Sequence, residues 1–596
     1  MTLTDRHLDE LKRERWLGFE AETLRYRRLL QGDTDQLCRF AERAKRDTDV
    51  LAICAIGEAL IAEGGLGLKP LRRDGFIGVL LATLVEEGRY PQALAVFDSM
   101  TNEDRAAGKV WVMRAKALAG LADLKGAREA IQQALELDPQ VRDGREFKAL
   151  LVERRALRSQ LEGGGIGWAG LRRLVDVHLE LDLEDFAARL IKNRMPALPT
   201  PGAGDYDDGL AMLKTAKDLL GPAFVLGAAK LLEPARQDDR LRALIAECRI
   251  AIGRAGEATG PDHGGRDLRL QRALAAAEMG DIEEAVGRLG KMTVELREDL
   301  EVRAALDYLV GRAVLEQSPL ELRRSGGDRR IFNLMPFNDE IPLLKIHLAE
   351  MAEWVDLFVV AESEVTFTGQ AKPLHFERHK AEFAQYADKI LHVIVPEHPA
   401  AFHSPWGRDF RQRDLAVTAL SGLAAADDLV LLTDVDEIID RRALEGFEGD
   451  FAGLRMALFR FFLNYRPAPG NLPIRRTGAV ARGDLLARFG SSYLRFDLAR
   501  RKDGQLLPNA GWHFTSICDP ERLVAKVNSY AHQERTAAWR DLDAVDRLLS
   551  EIKTGRCERG WERAEIDESF PAYIRERQGE LADLLVSAPA EEGAEA

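Results

Sequence analysis

"LVLLTDVDEI", residues 429–438, joins an apolar run to three acids that lie within four positions of one another. The apolar part has the composition of a buried strand, and Asp434, Asp436 and Glu437 follow it directly. Carboxylates this close repel one another, so a positive partner is expected beside them. A metal ion, an arginine and plain solvent are the three alternatives, and the function depends on which of them is present.

Three more apolar runs precede this one, and helical stretches separate them. Strands alternating with helices predict right-handed crossovers and a mainly parallel sheet that is covered on both faces. Ligands bind such sheets at the carboxyl ends of the strands, which is where the three acids lie. The predicted strands are 330–338, 356–364, 390–395 and 429–434, and the predicted helices are 340–354, 376–387 and 408–423.

The chain before about residue 320 has helical apolar spacing and an internal repeat. Segment 86–100 superposes on segment 120–140 at a shift of 34 residues, which is the tetratricopeptide period. The shift aligns Ala93 with Ala127 and Phe97 with Ile131, so small residues recur where paired helices cross. A third copy is predicted at 272–289, and Pro and Gly break the array near 195–208.

Such an array is compatible with two roles, and the sequence does not choose between them. One is a concave surface that holds a protein or peptide partner, and the other is a scaffold or oligomerisation element. The oligomeric state is also left open.

The amino-acid composition argues against several classes of function. The chain has 596 residues, 46% of them apolar, and a formal charge of -14, which argues against a general nucleic-acid binder. Its five cysteines show no C-x-x-C spacing, so a disulfide scaffold or zinc finger is not expected. No secretory signal and no run of roughly 18 apolar residues is visible. We therefore expect a cytoplasmic protein without a transmembrane segment.

An acid pair after a buried strand is typical of two enzyme classes. Carboxylate oxygens bind Mg²⁺ or Mn²⁺, commonly with phosphate oxygens completing the shell. Haloacid-dehalogenase-like phosphatases begin their domain with the motif, whereas GT-A glycosyltransferases place Asp-x-Asp deep in a Rossmann-like half. Here the motif falls about 100 residues into the predicted α/β region, which favours the glycosyltransferase.

The C-terminal region resembles the catalytic domain of glycosyltransferase family 17, the β-1,4-mannosyl-glycoprotein N-acetylglucosaminyltransferase family. The resemblance runs through four blocks: 337–376, the Asp-x-Asp-Glu-Ile segment in 427–438, the Gly-Trp-His block in 510–532, and "IKTG" at 552–555. It implies a GT-A fold and an inverting, metal-dependent transfer of GlcNAc from UDP-GlcNAc to a hydroxyl. A protein or glycan acceptor, presented by the repeats, is the expected partner.

The resemblance implies metal-binding, catalytic and donor-binding roles for individual side chains. Mn²⁺ or Mg²⁺ is expected on Asp434, Asp436 and His513, because neutral imidazole completes a Mn²⁺ shell. An inverting transfer needs one general base, and Glu437, Glu362 and Asp519 are the candidates. Guanidinium groups suit phosphates. Donor-binding residues are expected among Glu340, Glu362, Thr368, Arg408, Arg413 and Asp434.

The predicted organisation is therefore a multidomain chain, with an α-helical tetratricopeptide-like solenoid followed by an α/β GT-A domain. The predicted limits are 1–320 for the repeats, 321–329 for a linker, 330–586 for the transferase domain and 587–596 for a disordered tail. The alternative functions are a repeat-based scaffold with a degenerate transferase domain, and the phosphatase.

Overall fold

The computed structural model describes most of the chain. The predicted tail, 587–596, lies outside the described residues, and among the described residues no helix is long and apolar enough to cross a membrane. Described are residues 19–32, 34–47, 50–67, 71, 75–234, 238–296, 299–326, 328–445, 447–468, 476–499, 505–531 and 537–586, with Leu3, His7 and Glu10.

The described chain divides into two compact units, one of residues 5–275 and one of residues 276–596, here called the N-terminal and C-terminal units. The N-terminal unit is helical throughout its described part, as the apolar spacing predicts. Its helices are α1 (Phe19–Gly32), α2 (Thr34–Asp47), α3 (Val50–Ala62), α4 (Phe76–Glu86), α5 (Tyr90–Ser99), α6 (Gly108–Gly120), α7 (Leu124–Leu137), α8 (Arg142–Glu162), α9 (Trp168–Glu180), α10 (Glu184–Arg194), α11 (Tyr206–Leu220), α12 (Pro222–Ala228), α13 (Asp239–Ala251) and α14 (Arg266–Glu278).

The repeat read from the sequence forms paired helices at α4–α5 and α6–α7. Ala93 and Ala127, the two aligned small residues, are completely buried. Successive pairs meet through Gly120, where a Cβ would lie 2.1 Å from the ring of Tyr90. Phe97 packs edge-on against Trp111 at 5.0 Å between ring centroids. The small residues therefore permit close helix crossings, and the aromatic side chains fill the grooves between repeats.

The C-terminal unit combines a seven-stranded sheet with helices and two smaller sheets. Its strands are β1 (Ile331–Phe337), β2 (Leu357–Ser363), β3 (Ile390–Val395), β4 (Leu429–Leu432), β5 (Glu437–Ile439), β6 (Phe451–Arg455), β7 (Ala457–Arg460), β8 (Tyr465–Pro467), β9 (Arg476–Arg482), β10 (Leu506–Leu507), β11 (Gly511–Thr515) and β12 (Trp561–Arg563). Its helices are α15 (Ile282–Glu295), α16 (Leu300–Gln317), α17 (Ile341–Met351), α18 (His375–His379), α19 (Pro405–Thr418), α20 (Gly483–Phe489), α21 (Ser491–Tyr493), α22 (Pro520–Ser529), α23 (Leu542–Lys553) and α24 (Ala572–Glu576).

The large sheet has the order β10-β6-β9-β4-β1-β2-β3, and all four predicted strands are in it. β3, β2, β1 and β4 are mutually parallel along this order, as predicted. β9 then pairs antiparallel with both β4 and β6, so the sheet is mixed. The sequence pattern missed β9 because its outer residues are arginines and only a short apolar run lies between them.

A second, three-stranded sheet brings distant parts of the chain to the end of β4. In it β11 lies between β5, to which it is antiparallel, and β7, to which it is parallel. His513 on β11 is opposite Glu437 on β5, so the pairing aligns the "GWHF" segment with the acidic turn. Gly511, at φ 140°, makes this close approach possible, since a Cβ there would lie 2.0 Å from the carbonyl oxygen of Ile438.

Helices α15 and α16 belong to the compact unit that contains the sheet, although the sequence analysis assigns them to the repeat region. α16 packs against α19 and α21 within this unit. The contact is close at Gly490, because a Cβ there would lie 3.3 Å from the Cα of Gly311 and 2.6 Å from Oδ1 of Asp414. The predicted linker at 321–329 therefore follows α15 and α16, which already belong to the C-terminal unit.

Asp414 of α19 lies in this contact and is fully buried. Its Oδ1 accepts hydrogen bonds from the backbone N–H groups of Ser491, at 2.6 Å, and Ser492, at 3.2 Å. Burial raises the pKa of Asp414 to about 7, against the opposing effect of these hydrogen bonds. The carboxyl is therefore held protonated in the folded chain under mildly acidic conditions.

We predict that Asp414→Asn removes a loss of stability that the wild type undergoes between about pH 4 and pH 7. In the unfolded chain this carboxyl has a pKa near 3.9. As pH rises above that value the unfolded state gains from ionisation while the folded state keeps its proton, so the free energy of unfolding falls until the pH reaches the folded pKa. The difference in Tm, variant minus wild type, should grow from pH 4 to pH 7 and then level off. A difference independent of pH would contradict the prediction.

Candidate active site

The three acids lie on a tight turn between β4 and β5, at the carboxyl end of β4. The backbone N–H of Glu437 donates to the carbonyl oxygen of Asp434 at 3.0 Å. In return, the backbone N–H of Asp434 donates to Oε2 of Glu437 at 2.9 Å. Glu437 thus closes the turn with its own side chain, which orients Asp434 and Asp436 relative to the strand end.

A buried polar chain fixes this turn from the core side. Asn333 of β1 donates from Nδ2 to the hydroxyl of Thr433 at 2.8 Å. The ring of His347, on α17, has Nε2 2.6 Å from Oδ1 of Asn333 and Nδ1 3.0 Å from the carbonyl oxygen of Val435. Burial lowers the pKa of His347 to about 4, so the ring is neutral near pH 7. Uncharged polar side chains therefore support the turn from the core side.

Two arginines neutralise the first and third acids. Nη2 of Arg495 lies 2.9 Å from Oδ2 of Asp434 and 2.7 Å from Oε2 of Glu437. Nη1 of Arg413 lies 2.7 Å from Oδ1 of Asp434, and its Nε donates to Oδ1 of Asp409 at 2.7 Å. Burial opposes ionisation of Asp434, but the charges of Arg413 and Arg495 outweigh it and hold the pKa of Asp434 well below its ordinary value.

Each arginine is fixed by its own element. Arg413 lies on α19, which packs against β1 and β2, and its side chain is 8% exposed. Arg495 lies on a π-helical turn, Leu494–Leu498, and its side chain is 3% exposed. π-Helical turns are rare and occur frequently at functional sites, because the extra residue moves side chains out of the regular helical register.

The middle acid, Asp436, faces a different set of groups. Its Oδ2 lies 3.4 Å from Nζ of Lys526 on α22, and its Oδ1 lies 3.6 Å from Nε2 of His513. The same Lys526 Nζ lies 3.5 Å from Oε1 of Glu340, just before α17. Burial opposes the charge of Lys526, but Asp436 and Glu340 outweigh it and raise the pKa of Lys526 above its ordinary value.

The positive partners that the sequence required are therefore supplied by the protein itself, through Arg413, Arg495 and Lys526. Of the three alternatives, arginine side chains account for Asp434 and Glu437. In the described part of the chain no group of three or more His, Cys, Asp or Glu side chains is arranged to hold a metal ion. The predicted metal trio divides, since Asp436 and His513 are adjacent while Asp434 is held by the arginines.

The three candidates for the general base lie in different environments. Glu362, at the end of β2, is completely buried, and its oxygens accept from the backbone N–H of Phe376 and lie 3.2 Å from Nε2 of His392. Glu437 is 1% exposed and is paired with Arg495. Asp519 caps α22 through the backbone N–H of Arg522 at 2.8 Å, and its side chain is 51% exposed. Glu362 and Glu437 are thus engaged by neighbouring groups, and the choice of general base among the three stays a prediction.

The remaining predicted donor-binding residues lie around the same strand ends. The hydroxyl of Thr368 donates to the carbonyl oxygen of Asn528 at 3.0 Å and so links the loop after β2 to α22. Arg408, on α19, donates to the carbonyl oxygen of Phe367 at 3.2 Å. Oε2 of Glu340 accepts from the backbone N–H groups of Asn338 and Asp339 at 3.1 Å. These contacts hold loops, and donor binding by these residues stays a prediction.

Sequence reasoning missed the two cations that lie closest to the acids apart from Arg413. Lys526 lies within the quoted block 510–532, thirteen residues after His513, and its basic charge within that block was the available signal. Arg495 lies in "SSYLRFDLAR", where neither spacing nor composition distinguishes it from a surface arginine. Only the fold places it against residues about sixty positions earlier in the chain.

Comparison with known proteins identifies the region that carries this site. Residues 320–459 match glycosyltransferase family 17. The match contains the acidic turn, Arg413 and Glu340, and it favours the glycosyltransferase over the phosphatase alternative. Residues 84–152 match a tetratricopeptide repeat family, which confirms the repeat read from the shift of 34 residues.

Two curated relatives are named as N-acetylglucosaminyltransferases, which are glycosyltransferases. The chain is 27% identical over 277 residues to the β-1,4-mannosyl-glycoprotein 4-β-N-acetylglucosaminyltransferase of Rattus norvegicus, covering 39% of this chain and 48% of that protein. It is 27% identical over 277 residues to the Homo sapiens protein of the same name, covering 39% and 49%. The chain thus spans about half the length of the curated relatives it matches.

We predict that Arg495→Met destabilises the chain by about 3–5 kcal/mol, because it leaves the buried carboxylate of Glu437 without a cation and Asp434 with Arg413 alone. Adding Glu437→Gln should restore part of this loss, since one uncompensated charge is then removed. Urea unfolding of the two variants and the wild type measures both effects.

The matched control is Arg442→Met. Arg442 pairs with Asp440 at 2.5 Å, but its side chain is 71% exposed. A surface pair of this kind contributes below about 1 kcal/mol. An Arg495→Met variant no less stable than Arg442→Met would contradict the assignment of Arg495.

Proposed function

We propose that the C-terminal unit is a metal-dependent, inverting glycosyltransferase that moves a sugar from a nucleotide-sugar donor to an acceptor hydroxyl. The expected donor is UDP-GlcNAc, by similarity to relatives named as N-acetylglucosaminyltransferases. A GT-A architecture is part of the proposal. It is supported by the parallel strands β3, β2, β1 and β4 and by the position of the acids at the carboxyl end of β4.

The observation that carries the proposal is the charge of the site. Five carboxylates are ion-paired with only three side-chain cations, so the network has a formal charge of -2. A nucleotide diphosphate is itself an anion and would be repelled by this network. One divalent cation matches the deficit, and it also binds phosphate oxygens. The five carboxylates are Asp409, Asp434, Asp436, Glu437 and Glu340, and the cations are Arg413, Arg495 and Lys526.

The residues at Asp436 fit such an ion. Ligands about 2.1 Å from one Mg²⁺ lie roughly 3 to 4 Å apart, and the Asp436 Oδ1 to His513 Nε2 distance is 3.6 Å. A carboxylate and an imidazole are a donor set that Mn²⁺ accepts. His513 also has a buried Nδ1 with no hydrogen-bond partner among the described residues. We therefore place the ion on Asp436 and His513, whereas Asp434, the third ligand expected from the sequence, is paired with Arg413 and Arg495.

In this proposal the difficult step is departure of the nucleoside diphosphate. When bound, the divalent ion supplies Lewis-acid stabilisation of the charge that develops on the leaving diphosphate. Arg413 and Arg495 hold Asp434 and Glu437 in fixed orientations. The acidic turn therefore positions Asp436 without any change in its own conformation. Asp519, the half-exposed member of the predicted bases, is the residue we assign to take the acceptor proton.

We predict that UDP raises the Tm of the wild type in the presence of Mn²⁺, and that Asp436→Ala abolishes this stabilisation. A ligand that binds only the folded state stabilises it by about 2.7 kcal/mol at one hundred times its Kd. Removing one carboxylate from the ion should weaken nucleotide binding and lower donor turnover by orders of magnitude. Thermal shift and metal-dependent hydrolysis of UDP-GlcNAc measure the two effects.

The control for this experiment is Asp519→Asn, which preserves the helix cap because Asn caps as well as Asp. It should keep the Mn²⁺-dependent stabilisation by UDP and lose sugar transfer. Absence of any UDP stabilisation in the wild type would contradict donor binding, and screening GDP- and dTDP-sugars in the same assay then tests other donors.

The N-terminal unit is proposed to hold the acceptor. A groove of about 660 Å³ runs between α7 and α8, with Leu135 and Val152 on its apolar wall and Arg145 and Lys148 beside them. Val152 is 64% exposed, so its apolar surface is open to a partner. Such a surface suits an extended segment of a protein acceptor.

We predict that deleting residues 1–275 preserves UDP stabilisation and donor hydrolysis but lowers transfer of labelled sugar to cellular protein by about tenfold or more. The loss follows because tethering raises the effective acceptor concentration. The boundary at 275 keeps α15 and α16, which pack in the C-terminal unit. Unchanged transfer after deletion would show that the array has only a structural role.

A further inference from the structure

Lys526 differs from the two arginines of the site in how firmly it is held. Its Nζ lies 3.4 Å from Asp436 and 3.5 Å from Glu340. Charge-assisted N–H···O bonds are typically about 2.7–2.9 Å long, and the closest contacts of Arg495 and Arg413 with acids are 2.7 Å. The ammonium group of Lys526 therefore contacts two carboxylates at distances longer than a typical charge-assisted hydrogen bond. It can still donate a shorter hydrogen bond to a third partner.

Lys526 is also the most accessible of the three cations. Its side chain is 23% exposed, against 8% for Arg413 and 3% for Arg495. An anion approaching from solvent can therefore reach Lys526 more readily than either guanidinium. The charges of the arginines are also engaged at close range by Asp434, Asp409 and Glu437.

The helix that carries Lys526 is anchored at both ends, so Lys526 is not a mobile surface lysine. Helix α22 begins at Pro520 and is capped by Asp519. Leu523 and Val527 anchor it in an apolar cluster with Phe461. At its other end the carbonyl oxygen of Asn528 accepts from Thr368. The lysine stem is thus carried to the acidic turn by a helix that is tied at both ends.

We propose that Lys526 binds the diphosphate of the donor directly, as a catalytic residue of the transferase. This inference rests on the proposed function. Asp436 would hold the ion, which would leave Glu340 as the one carboxylate on the ammonium, so that a phosphate oxygen would be the stronger partner of Lys526. The site then supplies two cations to the diphosphate, one delivered with the metal and one built into α22.

The bond from the anomeric carbon to the β-phosphate oxygen breaks, and its electron pair stays on that oxygen, to which Lys526 donates a hydrogen bond. The acceptor oxygen forms the new bond to the anomeric carbon from the opposite face. Its proton goes to the general base, and the products are the glycosylated acceptor and the nucleoside diphosphate. Removing a preorganised donor from a developing anion costs about 10²–10³ in rate.

The test compares Lys526→Met with the wild type by thermal shift and calorimetric titration, using UDP, inorganic pyrophosphate and uridine as probes, each in EDTA and in Mn²⁺. The expected result is that neither protein binds UDP or pyrophosphate appreciably in EDTA, because the network then repels anions, and that in Mn²⁺ Lys526→Met binds pyrophosphate about tenfold or more weakly than the wild type. Uridine binding, which involves no phosphate, should be unchanged. In Mn²⁺ the variant should bind UDP more weakly and turn over donor about 10²-fold more slowly.

Arg522→Met is the matched control, because Arg522 lies one turn earlier on the same helix, with a side chain that is 52% exposed. It should bind all three probes as the wild type does. Lys526→Arg keeps the charge and should recover part of the pyrophosphate binding. If Lys526→Met does not fold, Lys526→Met with Glu340→Gln restores the local charge balance, and its pyrophosphate binding is measured instead.

The outcomes separate this inference from the proposed function. Equal binding of UDP and pyrophosphate by Lys526→Met and wild type, with Mn²⁺-dependent binding intact in both, overturns the role of Lys526 alone. Loss of uridine binding along with UDP binding would indicate a structural effect and also overturns it. A wild type that binds no nucleotide in Mn²⁺ contradicts the proposed function itself.

Discussion

The guanidinium of Arg495 is the group on which the rest of the site depends. A single nitrogen, Nη2, contacts both Asp434 and Glu437, and Glu437 in turn closes the backbone turn that carries all three acids. The group is almost fully buried, and without it Glu437 would be uncompensated and Asp434 would keep only Arg413. Because Arg495 is distant in sequence from both acids, the acidic turn can be completed only when the π-helical turn has docked on the sheet.

The charges of the site fall into two layers with different roles. The inner layer, Arg413, Arg495, Asp434 and Glu437, is paired at 2.7 to 2.9 Å, and its side chains are at most 8% exposed except that of Asp434, which is 33% exposed. The outer layer, Asp436, His513, Lys526 and Glu340, is paired at 3.4 Å or more. Groups held at these longer distances can exchange partners at little cost. In the proposed reaction this division favours Glu437 as a support for its neighbours and Asp436 as the acid whose partners a ligand can most readily replace.

Sequence patterns predicted the backbone better than the side-chain partners. The four central strands were predicted because buried parallel strands are continuous apolar runs, and the repeat was predicted because its small and aromatic residues recur at a fixed shift. The antiparallel strand β9 was missed because arginines end it on both sides. Arg495 could not be predicted, since a local pattern carries no information about contacts made across about sixty residues. The location of the acids at a strand end was predictable, but their neutralisation by arginines was not.

One continuous segment, β11 followed by α22, supplies both groups that flank Asp436. His513 approaches Oδ1 from the strand and Lys526 approaches Oδ2 from the helix. A mostly buried carboxylate without a cation would be strongly unfavourable, so the fold must provide one. Lys526 does so, at distances long enough that a divalent ion can replace it on Asp436. In the proposed reaction this exchange couples the two events that donor binding requires, because the cation that leaves the carboxylate becomes available to the diphosphate that arrives with the metal.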